Sequence, residues 1–209
     1  MKLNKIYNMD CLAGLKTLPD KFINLCLTDP PYGVKSDKGT NGFGAAKNRK
    51  YRGGWDCKIP EKAVFDEIFR VSQNVIIFGG NHFTEHLPTS NCWIFWDKKG
   101  AIDFKNPFAD GELIYTTFSH VIRKITFLQQ GFITDSKDRR YHPTQKPSEL
   151  VQKLIEDYSK KGDIILDPFI GSGTTAVAAK RAGRRYIGYE TDVEFYAICL
   201  KRLQAIAAD

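Results

Sequence analysis

The five cysteines, Cys11, Cys26, Cys57, Cys92 and Cys199, include no Cys-x-x-Cys pair. Cys26 and Cys199 sit in apolar patterns, so the set reads as reduced packing residues and leaves no metal site to expect. Missing too is any apolar run near the roughly 18 residues of a membrane span, and no signal peptide opens the chain. These absences point to a cytoplasmic protein without membrane partners. No zinc-finger spacing, helix-turn-helix pattern or large separate recognition domain is visible either. Any nucleic-acid-reading surface would have to be built into the main domain.

What is present fits one well-packed domain: 209 residues, 42% of them hydrophobic, with a net charge of +7. The positive balance favours a polyanionic partner without establishing one.

The apolar run Ile23-Asn24-Leu25-Cys26-Leu27-Thr28 is stopped by Asp29-Pro30-Pro31-Tyr32. A short buried-type run closed by two prolines reads as an interior strand, which puts the four residues at its carboxyl end. Ligands of open α/β sheets bind at that edge. Asp29 can accept from an amino group, Pro30 offers a carbonyl without a competing N–H, and Tyr32 presents an aromatic face. A planar, amino-bearing ring suits such a set.

Upstream, Leu3 to Met9 alternates as a strand ending at Asp10, and Cys11 to Leu18 places Leu12, Leu15 and Leu18 on one helical face. Asp10 and Asp29 should therefore share a sheet edge, although Asp10 also reads as a plain helix N-cap. From Gly33 to Pro60 the periodicity fails. Glycines alternate there with Lys47, Arg49, Lys50 and Arg52 and with Phe43, Tyr51 and Trp55, as a long basic loop suited to phosphates and an unstacked base. Beyond it come a helix over 61–70, a strand over 74–78 closed by Gly79-Gly80-Asn81, and a strand over 91–96. The two glycines either relieve crowding or make room for a target base. Strands over 112–118 and 121–127 are expected to form a hairpin around Ser119-His120. Within 98–140 lies the place for a small target-recognition region, where Arg139 and Arg140 are candidates for phosphate contact.

In the last third, the strand 163–167 turns at Asp167-Pro168-Phe169-Ile170-Gly171-Ser172-Gly173-Thr174-Thr175 into an alanine-rich helix. Gly171 and Gly173 let backbone approach a ligand, and the helix amino terminus offers free N–H groups. No lysine follows the second glycine, which argues against a triphosphate loop. The next strand, 185–189, ends at Glu190, placed to grip a ribose diol. These residues alone leave a methyl donor and a nicotinamide cofactor both open. A final helix spans 192–206, with Val193, Tyr196, Leu200 and Leu203 expected inward.

Asp29-Pro30-Pro31-Tyr32-Gly33 resembles the catalytic motif of the amino-group DNA methyltransferases. His142-Pro143-Thr144-Gln145-Lys146-Pro147 resembles the segment those enzymes carry before their cofactor strand. The catalytic motif precedes the glycine turn, an order similar to the permuted β group. The resemblance implies an α/β fold: a doubly wound, mostly parallel seven-stranded sheet of the S-adenosylmethionine-dependent methyltransferase type, circularly permuted, in one domain over 1–209. It also implies a restriction-modification setting, DNA as partner, methylation of adenine N6, and a homodimer for which no interface is readable in the sequence. Asp29, Pro30, Pro31 and Tyr32 would be catalytic. S-adenosylmethionine would be held by Asp10 and Cys11 at its adenine end and by Glu190 at its ribose. Asp167, Phe169, Gly171, Ser172, Gly173 and Thr174 would surround its methionine part, with Thr144 or Lys146 meeting the carboxylate. Cytosine N4, RNA or free nucleotides as acceptors, and a nucleic-acid-binding protein without catalysis, stay open.

Overall fold

Strand β2 (Ile23–Thr28) is buried along nearly its whole length, because it lies inside a sheet covered on both faces. A computed structural model describes residues 1–34, 58–101, 109–130, 133–139, 141 and 145–206. Around β2 the chain runs β1 (Lys5–Asn8), α1 (Cys11–Leu15), β2, α2 (Lys62–Val71), β3 (Ser72–Phe78), β4 (Trp93–Asp97), β5 (Gly111–Thr116) and β6 (Arg123–Thr126). It continues through β7 (Gln129–Gln130), β8 (Ile133–Thr134), α3 (Ser148–Tyr158), β9 (Ile164–Asp167), α4 (Thr174–Arg181), β10 (Arg185–Glu190) and α5 (Val193–Ala205). No helix among the described residues is long and apolar enough to cross a membrane.

The main sheet has the order β1-β10-β9-β2-β3-β5-β4-β6. All of its pairings are parallel except the two made by β5. Parallel strands need crossover helices, and these cover both faces. Leu25, Leu27, Ile76 and Ile165 pack towards α3, α4 and α5, while Cys26, Val75, Ile77 and Leu166 pack towards α1 and α2. The α/β, doubly wound expectation is met. The first strand pairs with the last, Lys5 opposite Ile187, and α5 packs on both, which is the arrangement the permuted motif order required.

Three expectations are corrected. The sheet contains eight strands instead of seven, because β6 adds a parallel edge outside β4. The hairpin over 112–127 does not form: β5 pairs with β3 and β4, and β4 separates it from β6. Burial explains the choice. Ile114 and Tyr115 of β5 are fully buried and need neighbours on both sides, whereas β6 carries exposed Arg123, Lys124 and Thr126 that suit a solvated edge. On α5, Val193 and Leu200 point to solvent, and the inward side chains are Cys199, Arg202 and Leu203. The helical stripe is rotated by about one residue from the one expected.

Candidate active site

The carboxyl ends of β1, β2, β9 and β10 open into a single cavity of about 990 Å³. Asp10, Asp29, Tyr32, Gly171 and Glu190 all line it. Register puts them there: β2 lies directly beside β9, with Cys26 opposite Leu166, so the Pro-Pro turn and the glycine turn leave adjacent strands at the same edge.

On the β2 side, the Tyr32 hydroxyl sits 2.6 Å from Asp29 Oδ1 and 2.9 Å from Glu112 Oε1, so its one proton is shared between two carboxylates. Lys146 donates to Asp29 Oδ1 at 2.8 Å and to the Tyr32 oxygen at 3.1 Å, and lies 3.3 Å from Glu112 Oε1. Lys98 donates to the other Glu112 oxygen at 2.5 Å. The Lys146 and Glu112 side chains are only 11% and 10% exposed, so the charges are held by one another more than by water. Burial raises the Asp29 carboxyl above its ordinary value, against the pull of Lys146. Burial also works against Glu112, yet Lys146 and Lys98 hold it down at about 2. Lys146 was expected at a donor carboxylate. The structure places its ammonium between Asp29 and Glu112.

The Tyr32 ring stacks on His82, centroids 4.6 Å apart and 11° from parallel, with Phe83 edge-on. His82 is not part of the cavity lining, so it backs the ring from outside. Gly79 has φ +63°, and a Cβ there would overlap the Tyr32 ring. The room left at this glycine is thus filled by the protein's own tyrosine, which decides between the two readings of the turn. Gly80 is likewise closed off by Tyr115 and Trp93.

On the β9 side, buried Asp167 ties the two halves together. It accepts from the Thr28 hydroxyl at 2.7 Å and from the Phe169 N–H at 3.0 Å, and burial pushes its carboxyl up to about 6. Gly171 and Gly173 adopt left-handed φ values of +53° and +87°. The nearest atom to a Cβ placed at Gly171 is the Phe169 carbonyl oxygen, 4.0 Å away, leaving backbone room to meet a ligand. At Gly173 a Cβ would lie 3.0 Å from Cys199 Sγ. From beneath, Arg202 grips the loop by donating to the Ser172 carbonyl at 2.7 Å, to Ser172 Oγ at 3.1 Å and to Thr174 Oγ1 at 3.2 Å, and it reaches Asp138 at 3.2 Å. Gln145 accepts from Ser172 Oγ at 3.0 Å, joining the segment before α3 to the same loop. Glu190 is pushed up to about 7 by burial and accepts from the Asp192 N–H at 2.8 Å. Asp10 caps α1 by accepting from Ala13 at 2.9 Å, and it lines the cavity as well. Burial pushes the neighbouring Cys11 thiol up to about 12, so it offers an unreactive wall.

Of the described members of the candidate donor set, Asp10, Cys11, Lys146, Asp167, Phe169, Gly171, Ser172, Thr174 and Glu190 line the cavity together with the Asp29 turn. Gly173 is the exception, lying behind the loop. Thr144, Arg140, Lys47, Arg49, Lys50 and Arg52 lie outside the described residues, as does most of the basic loop. Arg139 is exposed, stacks near Tyr141 at 5.4 Å and is not part of the cavity. Sequence reasoning missed Glu112, Lys98, His82 and Arg202. A charged residue opening the apolar stretch Leu113-Ile114-Tyr115, and an arginine between Cys199 and Leu203, were the signals available.

Residues 47–201 match the model of a family described as DNA methylase, which includes enzymes for adenine N6 and for cytosine N4. Among curated proteins, the type II methyltransferase M.HinfI of Haemophilus influenzae is 29% identical, over 98% of this chain and 69% of its own length. The M1.HpyAVI complex with S-adenosylmethionine superposes with a TM-score of 0.62 at 21% identity, covering 95% of this chain and 98% of that one. The cytosine-N4-specific PvuII DNA methyltransferase does so with a TM-score of 0.63 at 15% identity, covering 95% and 85%.

Proposed function

Because this chain belongs to the DNA methylase family, we propose that it transfers the methyl group of S-adenosylmethionine to the N6 amino group of adenine in DNA. The observation that carries this reading is the shared cavity, in which the Asp29-Pro30-Pro31-Tyr32 turn faces the Gly171 loop. An acceptor and a donor bound to the two turns meet without crossing the sheet.

The residues fit the donor chemically. The open backbone at Gly171, with Phe169 and Thr174 beside it, cradles an amino-acid moiety. Glu190 suits a ribose diol, and Asp10 suits an adenine amino group. Thr144 remains the candidate for the carboxylate, since Lys146 is engaged elsewhere. When bound, S-adenosylmethionine supplies a methyl group activated by a sulfonium.

Adenine in a duplex keeps N6 within the stack, so the base must flip out, at a cost of a few kcal/mol. Lys47, Arg49, Lys50, Arg52, Arg139 and Arg140 are candidates to offset that cost through phosphate contacts. Tyr32, backed by His82, offers the extruded ring a rigid face. Asp29 and the Pro30 carbonyl accept from the two N6–H groups, which turns the nitrogen lone pair out of ring conjugation and towards the methyl. In-line displacement then needs alignment and exclusion of water above all. The leading Asp of the motif supports adenine, because the resemblance associates a leading Ser with cytosine enzymes.

Incubation with labelled S-adenosylmethionine and duplex DNA, RNA or mononucleotides, followed by nucleoside analysis, tests the reading. Label in N6-methyldeoxyadenosine is expected. Label in N4-methylcytosine, or only in RNA or mononucleotides, would overturn the acceptor, and no transfer to any of them would overturn the enzyme.

A further inference from the structure

Glu112 does not line the cavity, yet it touches two side chains that do, Tyr32 and Lys146. It accepts from the Tyr32 hydroxyl at 2.9 Å and lies 3.3 Å from the Lys146 ammonium. We propose that Glu112 is a positioning residue for the acceptor base: acting through Tyr32 and Lys146, it fixes the aromatic platform and the Asp29 carboxylate in one arrangement and sets how readily Asp29 takes a proton. The proposal rests on the methyl-transfer reading for its consequence in catalysis, and on geometry alone for its electrostatics.

A phenol hinges freely about its ring axis, and a carboxylate rotates about its last bond. In this cluster neither is free. The Tyr32 oxygen has contacts from three sides, from Asp29, Glu112 and Lys146, and its ring is held by His82 and by the missing side chain of Gly79. Lys98, at the end of β4, anchors the far oxygen of Glu112, so the clamp is itself clamped. A buried carboxylate and two lysines are thereby gathered around Tyr32 and Asp29 although Glu112 itself does not line the cavity, an arrangement that orders its neighbours.

The charged and titratable groups facing Asp29 among the described residues are Lys146 ahead of α3, Glu112 on β5, Tyr32 in its own turn and Asp167 at the end of β9. Of these, Glu112 contributes a negative charge that opposes ionisation of Asp29. Replacing it with neutral glutamine leaves Lys146 less compensated, and Asp29 should then ionise more readily. A residue that merely filled space would not do this.

Two measurements on the full chain test the proposal. Carbon-13 NMR titration of the Asp29 carboxyl needs no activity: in Glu112→Gln the midpoint should fall below that of the wild type. In Lys98→Met, which leaves Glu112 less neutralised, it should rise. An unchanged midpoint in a folded variant overturns the proposal, and either variant suffices if the other does not fold. In methyl-transfer assays Glu112→Gln should lower kcat about tenfold or more, leave KM for S-adenosylmethionine within about twofold, and move the acid limb of the profile to lower pH. Wild-type kcat with an unmoved limb overturns it too. Absence of transfer by the wild type would remove the methyl-transfer reading instead, while the titration still decides the cluster.

Discussion

The Lys146 ammonium lies 2.8 Å from Asp29 Oδ1, although 117 residues separate the two in sequence. The segment before α3 is therefore joined directly to the Asp29-Pro30-Pro31-Tyr32 turn.

Asp29→Asn tests the role of the carboxylate. Asparagine keeps the shape but accepts more weakly and can turn a donor towards N6. We expect kcat to fall by roughly 10²–10⁴-fold, with the dissociation constant of S-adenosylmethionine within about twofold of the wild type, since the residues proposed to hold the donor follow β1, β9 and β10. Single-turnover kinetics and calorimetry read the two separately. Full activity in this variant would remove Asp29 from the mechanism.

Lys146→Met tests the ion pair. Asp29 is already raised by burial, and Lys146 opposes that rise. Without the ammonium the carboxyl should rise further, so activity should be lost at higher pH on the acid side than in the wild type. A kcat profile between pH 5 and 9 checks the direction.

Glu190 gives a stability signature. Its carboxyl is pushed from 4.5 to about 7 in the folded chain. Below pH 4.5 it is protonated in both states and contributes no difference. As pH rises to about 7, the unfolded chain ionises first, so the folded state loses stability on the order of 3 kcal/mol across that window. Glu190→Gln should therefore melt higher than the wild type at pH 8 and equally at pH 4, while binding S-adenosylmethionine more weakly. Thermal unfolding at the two pH values tests the sign.

Arg202→Met removes four polar contacts from beneath the glycine loop. Breaking a buried pair on one side costs about 3 kcal/mol. The loop carrying Ser172 and Thr174 loses its anchor, so donor affinity should fall by about tenfold or more. Denaturant unfolding and calorimetry measure both. An unchanged affinity would show that the loop is held by its own backbone.

How much could be read in advance follows from how local each signal is. The strand at 23–28, its Pro-Pro stop and the glycine turn that follows the strand over 163–167 declare themselves within a few residues, and the structure holds them there. Boundaries moved by one to three residues because helix and strand ends answer to capping and pairing. The false hairpin arose because adjacency in sequence is only a guide to pairing. The outward turn of Val193 and Leu200 arose because an apolar stripe on a helix fixes its core-facing side only to within about one residue.

Chain order and side-chain chemistry alone supplied the two turns, their position at strand ends and the expectation that they face each other. Packing decided the rest. Glu112 reaches Tyr32, with Lys98 anchoring its other oxygen, only because β5 is inserted between β3 and β4, and Arg202 reaches the glycine loop only because α5 returns across β1 and β10. Turn chemistry acts between neighbours and is written in a few letters. A buried charge cluster is assembled from strands whose order depends on which faces can be covered, and that is settled by the whole chain at once.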